Sequence, residues 1–163
     1  MSLEIAYAAM GGDLETVRGR LLTDERIEKF AKIFLQDTSM QTLESALEAG
    51  DLSEAYRGAH TLKGVSRDLG FTPLFEAAAA LSDALHLDDA GVPANMEAVP
   101  ELMPAVRDAY TTVVDAHRHY LAERRLAPGA HDEGYDARRL ARNQKDRGFQ
   151  PRGSKPERNT AND

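Results

Sequence analysis

The sequence has no cysteine and no tryptophan among its 163 residues, and its aromatic residues are limited to five phenylalanines and five tyrosines. Without cysteine, disulfides, thiolate nucleophiles and Cys-ligated zinc are all excluded. Long apolar runs are missing too. The longest, Ile5 to Met10, spans six residues, against the roughly 20 a membrane-spanning helix needs. No signal-peptide layout is present, so a cytoplasmic protein away from membranes is the expectation. Strand signals are absent as well: there is no alternating β-branched run and no Asn-Gly or Asp-Gly hairpin pair. Basic residues are outnumbered, 20 Lys and Arg against 27 Asp and Glu for a net charge of −7, which argues against a nucleic-acid-binding body.

What is present is a hydrophobic fraction of 42%, enough for a core, and an uneven spread of charge. Residues 1–125 hold 12 basic and 21 acidic residues, whereas residues 126–163 hold 8 and 6. The second stretch opens at Pro128-Gly129 and carries only scattered apolar residues, Tyr135, Leu140 and Phe149 among them. That is too little burial to offset the entropy of ordering the chain. The division expected is a helical bundle over 1–125 and a polar, disordered tail over 126–163, with a turn or two of helix around Asp136–Asn143.

The first region reads as helix throughout. Leu3 to Met10 is a short amphipathic segment stopped by Gly11-Gly12, and Asp13 caps a second over Leu14–Leu22. Thr23 then precedes Asp24-Glu25, acidic residues suited to a helix N-terminus. Ile27, Phe30, Phe34, Leu43 and Leu47 continue on one stripe, which predicts a single helix of about six turns ending at Gly50. Asp51 with Glu54 forms a capping-box pattern for a helix reaching Leu69, its inner side Leu52, Ala55, Ala59, Leu62 and Leu69. Gly70 closes it. Thr72-Pro73 opens the next, with Leu74, Ala77, Ala78, Leu81 and Leu85 inward, fading near Asp88-Asp89. After a connection over Ala90–Val99, the last helix starts around Pro100–Pro104 and turns Val106, Tyr110, Val113, His117 and Tyr120 inward. The pattern is all-α, an up-and-down antiparallel four-helix bundle with short extra N-terminal helices.

One segment carries chemistry. In His60-Thr61-Leu62-Lys63-Gly64-Val65-Ser66-Arg67-Asp68-Leu69-Gly70, a helical pitch puts Lys63, Gly64 and Arg67 within about 60°, 40° and 20° of His60. Leu62 and Leu69 point the other way. Gly64 costs the helix about 1 kcal/mol relative to Ala, yet it removes a side chain beside an exposed imidazole. A neutral imidazole near pH 7 is a competent nucleophile. A phosphoryl group on that ring would need cationic donors nearby. Lys63 supplies one, and Arg67 is either a second or the partner of an acid such as Asp68 or Glu76. No Walker loop, kinase signature or second acid–base group accompanies them, so a partner must bring the remaining machinery. Of the other histidines, His86 and His131 read as background. His117 and His119, two apart, face different sides and make no i, i+4 metal pair.

With Phe34-Leu35-Gln36-Asp37 upstream and Gly50-Asp51 before the helix, this motif resembles the histidine-containing phosphotransfer (HPt) domains of multistep phosphorelays. The resemblance is strongest over Ile27–Leu87. It implies that His60 is the phosphoacceptor, that Lys63 stabilises the phosphoryl group and that Gly64 gives access. It implies a docking surface around His60 that includes Tyr56, Lys63 and Arg67. Many relatives place a Gln on the neighbouring helix, where this sequence reads Ala79-Ala80-Leu81-Ser82; the substitute there is either Ser82 or water. Implied partners are response-regulator receiver domains and a hybrid histidine kinase, with Mg²⁺ on the receiver and no cofactor on this chain. The implied protein is a monomeric, stoichiometric phosphohistidine carrier rather than an enzyme, without ATP chemistry. Two other readings stand beside it. One is an adaptor that docks receivers or kinases without relaying; the other is a generic scaffold whose tail arginines, Arg138, Arg139 and Arg142, contact nucleic acid.

Overall fold

The structure, a computed structural model, describes residues 1–126. The expected tail, its helical turn and its arginines lie outside the described residues. Seven α-helices are present among the described residues: α1 (Leu3–Ala9), α2 (Leu14–Leu21), α3 (Asp24–Phe34), α4 (Ser39–Ala49), α5 (Leu52–Asp68), α6 (Thr72–Leu85) and α7 (Val99–Leu126), with a 3-10 turn at Met96–Ala98 before α7. Helix α5 packs on α4 and α6, and α6 packs in turn on α7, while α1 leans on α7 and α2 on α3. The all-helical bundle expected from the periodicity is therefore the fold.

The single six-turn helix is not. Ile27, Phe34 and Leu43 are all buried, but the backbone breaks between Phe34 and Ser39; in one continuous helix Leu43 would fall roughly 180° from Phe34, not on its stripe. The amides of Gln36 and Asp37 bond back to Ile33 and Phe34 in tight turns. The Asp37 carboxylate then accepts from the Ser39 amide at 2.9 Å and starts α4. Asp and Thr compete for backbone groups in this way, which makes them poor helix-interior residues. Phe30, expected inward, is 41% exposed, because the buried line of α3 is Ile27, Ala31 and Phe34 and Phe30 falls at its edge, about 60° from Ile27 and 100° from Ala31.

The expected caps form. Asp13 accepts from Thr16, Thr23 from Arg26 and Asp51 from Glu54, through their side-chain oxygens. The capping box after Asp51 is only half made, since Glu54 bonds Arg57 instead. Helix α6 begins at Thr72, with Phe71 in the capping position and no side-chain cap, so Thr72 is helical and is not the cap. It ends at Leu85, earlier than expected. The Asp88 carboxylate then organises the next turn by accepting from the amides of Ala90 and Val92. Helix α7 begins at Val99 and carries Pro104 inside it, a turn deeper than prolines are usually tolerated.

Two glycines place the helices around α5. Gly70 has φ +65°, and a Cβ there would stand 2.5 Å from Val17 and 2.7 Å from the Asp13 carbonyl. Its own carbonyl accepts from the Asp13 amide at 2.8 Å, which ties the α1–α2 corner to the end of α5. Gly58 lets the α4 backbone approach: a Cβ there would meet Leu43 backbone atoms at 3.0 Å. At the centre, Tyr7, Phe34, Phe71 and His117 form a chain of tilted and edge-on rings with centroids 5.1 to 6.2 Å apart. The Tyr7 hydroxyl donates to the Leu69 carbonyl, and burial pushes its phenol pKa up. On the surface Arg18 bridges Glu4 and Asp24; its guanidinium holds both carboxyls below the usual carboxylate range.

Candidate functional site

Helix α5 divides cleanly between an inner and an outer side. Ala55, Ala59, Leu62 and Ser66 are buried, and the Ser66 hydroxyl is satisfied within the helix by the carbonyls of Leu62 and Lys63. His60, Thr61, Arg67 and Asp68 are exposed. The inward anchor therefore fixes the rotation of the helix and holds the imidazole in water.

Each motif residue has a defined setting on that outer side. Tyr56, half-buried one turn before His60, places its ring 5.6 Å from the imidazole at 37°. This contact limits the sweep of the ring on one flank. On the opposite flank Gly64 leaves open space, since a Cβ there would meet nothing within 4 Å. The glycine thus relieves no clash inside the protein; what it clears is the approach from outside. The Lys63 side chain lies along the α5–α6 groove, 26% exposed, with Nζ 4.0 Å from the Asp83 carboxylate. Arg67 reaches its neighbour Asp68 at 3.3 Å, one of the two uses open to it from sequence.

Ser82 does not stand at this surface. It is 1% exposed, on the inner side of α6 with Ala78, Leu81 and Leu85. A residue at that register turns its short hydroxyl into the bundle, where a long amide could have reached out. The α6 residues on the outer face are instead Asp83 and His86, one turn apart and both exposed. His86 packs edge-on against Tyr56, with centroids 5.3 Å apart at 84°. Neither was singled out from sequence. The signal was available in the hairpin itself: in antiparallel helices joined by a short turn, residues about equally far from the turn meet. That rule pairs the Tyr56–His60 stretch with the Leu81–Leu85 stretch, next to His86, while Lys63, opposite Ala78, comes near Asp83 through the length of its side chain.

His131 lies outside the described residues, and His117 and His119 have structural or ordinary settings. His119 meets Glu123 at 3.0 Å on the surface of α7. His117 is fully buried, with Nδ1 donating to the Val113 carbonyl and Nε2 without a partner among the described residues. Burial holds its pKa below the ordinary 6.5, so the ring is neutral at pH 7. Met103 belongs to the core and Met96 is largely exposed. Among the described residues no three His, Asp or Glu side chains converge as a metal site would require.

His60 thus stands exposed in mid-helix, with the Lys63 side chain one turn on and open space at Gly64. The family model described as Hpt domain matches residues 30–116, just over half of the chain, and the chain belongs to the Hpt domain family. The match takes in α4, α5, α6 and most of α7, and leaves α1 and α2 outside it. Hpt domains are phosphotransfer carriers of phosphorelays rather than enzymes of the ordinary kind, and they work with receiver domains and histidine kinases. Neither the curated proteins nor the solved structures compared yields a match. No helix among the described residues is long and apolar enough to cross a membrane.

Proposed function

We propose that the protein is a phosphohistidine carrier that accepts a phosphoryl group on His60 from a receiver-domain aspartate and passes it to another receiver. The observation that carries this reading is the exposed His60 ring with Gly64 open beside it and the Lys63 ammonium on the next turn. A ring nitrogen lone pair attacks the phosphorus of the aspartyl phosphate in line. The P–N bond forms as the P–O bond breaks, and the aspartate leaves as a carboxylate with the electron pair. The ring's other nitrogen keeps its proton or yields it to water, and the reverse step regenerates the imidazole. This chain contributes positioning and charge neutralisation, the larger part of catalysis in phosphoryl transfer.

Lys63 follows the phosphoryl oxygens as a mobile point charge, Gly64 admits the partner, and Tyr56 holds the ring's flank. Arg67 lies at the edge of the docking surface, where Asp68 shares it. The chain brings no cofactor of its own, and Mg²⁺ sits on the receiver. Partners are response-regulator receivers and a hybrid histidine kinase, met in the cytoplasm by a monomer that leaves its His60 face free. Incubation of the full chain with phosphorylated receiver domains tests this reading. Acid-labile, base-stable label should appear on the wild type and be lost in His60→Gln while circular dichroism stays helical. An adaptor without relay would dock the receiver and take no label.

A further inference from the structure

The outer face of the α5–α6 groove presents an acid where a neutral donor would serve a phosphoryl group better. Ser82 is turned inward. The next residue, Asp83, is 80% exposed and is the carboxylate nearest the Lys63 ammonium, at 4.0 Å. Lys63 is the more buried of the two, at 26% exposure, so its ammonium has a restricted volume to sample and a charged partner already within it. No other ion pair involving either side chain is formed among the described residues.

We propose that Asp83 is a positioning residue of the phosphoryl site: it holds the Lys63 ammonium while the His60 ring is free and competes for it once the ring is phosphorylated. The proposal rests on the carrier reading above and adds to it a means of setting how readily the group leaves. A phosphoryl group brings a charge of about −1.5 to −2. For Lys63 to pair with it fully, the ammonium must leave Asp83, and the carboxylate then stays beside an added dianion. Both effects raise the free energy of the phosphorylated state relative to the free one. Phospho-His60 is thereby a readier donor than it would be beside an amide. The size is that of an exposed ion pair, a change of about two- to fivefold in the phosphorylation equilibrium, and it should fade as salt screens the charges.

The experiment uses the full chain and small-molecule phosphoryl exchange, so that no receiver surface is involved. Wild type and variants are equilibrated with phosphoramidate and ammonium, and the P–N phosphorus signal at His60 is read by ³¹P NMR. Asp83→Asn is expected to raise the ratio of phosphorylated to free protein about two- to fivefold at low ionic strength, with the gap closing in about 1 M salt. Asp83→Glu should restore the wild-type ratio. In a Lys63→Ala background the Asp83→Asn gain should shrink, because the competition has lost its object and only the repulsion between the carboxylate and the phosphoryl group remains. An unchanged ratio in Asp83→Asn overturns the proposal, and so does a gain of the same size without Lys63. A wild-type protein that takes no phosphoryl group on His60 overturns the carrier reading and this proposal together, an outcome distinct from a phosphorylated protein indifferent to residue 83.

Discussion

Two imidazoles in this bundle show how position decides what a side chain does. His60 stands on the outer side of α5, exposed, with Tyr56 on one flank and open space on the other. His117 stands on the inner side of α7, wholly enclosed between Tyr7 and Phe71, with one nitrogen bonded to its own helix and the other bonded to nothing. The first is the residue proposed to take a phosphoryl group from a receiver and give it back. The second is a packing element, kept neutral by its burial. Chemistry in this fold belongs to the outer face of α5, and stability belongs to what lies behind it.

That division can be broken at either end. The largest effect should come from Gly70→Ala, which forces a left-handed backbone on a residue with a Cβ and drives that Cβ into Val17 and the Asp13 carbonyl. A loss of about 2–3 kcal/mol in urea denaturation is expected, with His60, Lys63 and Gly64 untouched. Next comes Lys63→Ala on the outer face. Transfer from a phosphorylated receiver should slow roughly tenfold, about 1.4 kcal/mol in the barrier, while stability changes by no more than about 0.5 kcal/mol. A collapse of the melting temperature would instead make that lysine part of the packing.

The smallest effect concerns His117. Its folded pKa is depressed by burial, so between that value and the unfolded 6.5 the unfolded chain binds the extra proton. This contribution to stability is complete above pH 6.5 and is lost as the pH falls below it. The carboxylates held low by Arg18 titrate only further into acid, so the two phases separate. His117→Phe, similar in volume and bounded by the same aromatic rings, should stay within about 1.5 kcal/mol of wild type at neutral pH and flatten the upper phase. Denaturation midpoints from about pH 7 down to about pH 3 read both.

Much of this was legible in the chain. Asp13, Thr23 and Asp51 announced helix starts because their side chains bond the backbone locally, and Gly50 and Gly70 announced ends because their φ values are +72° and +65°. His60, Lys63 and Gly64 shared a face by pitch alone. The break before Ser39 is missed when Leu43 is placed on the stripe of Ile27 and Phe34; at about 100° per residue it falls roughly 180° from Phe34, a phase jump that marks the break together with the Asp37 side chain, whose bond a hydrophobic pattern does not show. On α6 an error of one residue is a rotation of about 100°. That is why Ser82 and not Asp83 was read as the residue beside the phosphoryl site. His86 was passed over because its partner, Tyr56, lies 30 positions away in sequence and meets it only through the hairpin.

The most direct measurement is site-mapped phosphoryl transfer: a ³²P-charged receiver domain is mixed with wild type and with His60→Gln, and the labelled position is located under alkaline conditions. The wild type should carry label on His60 and nowhere else, and the substituted protein should carry none while remaining helical. Label that persists in His60→Gln, or that maps to His86 or His119, would contradict the account.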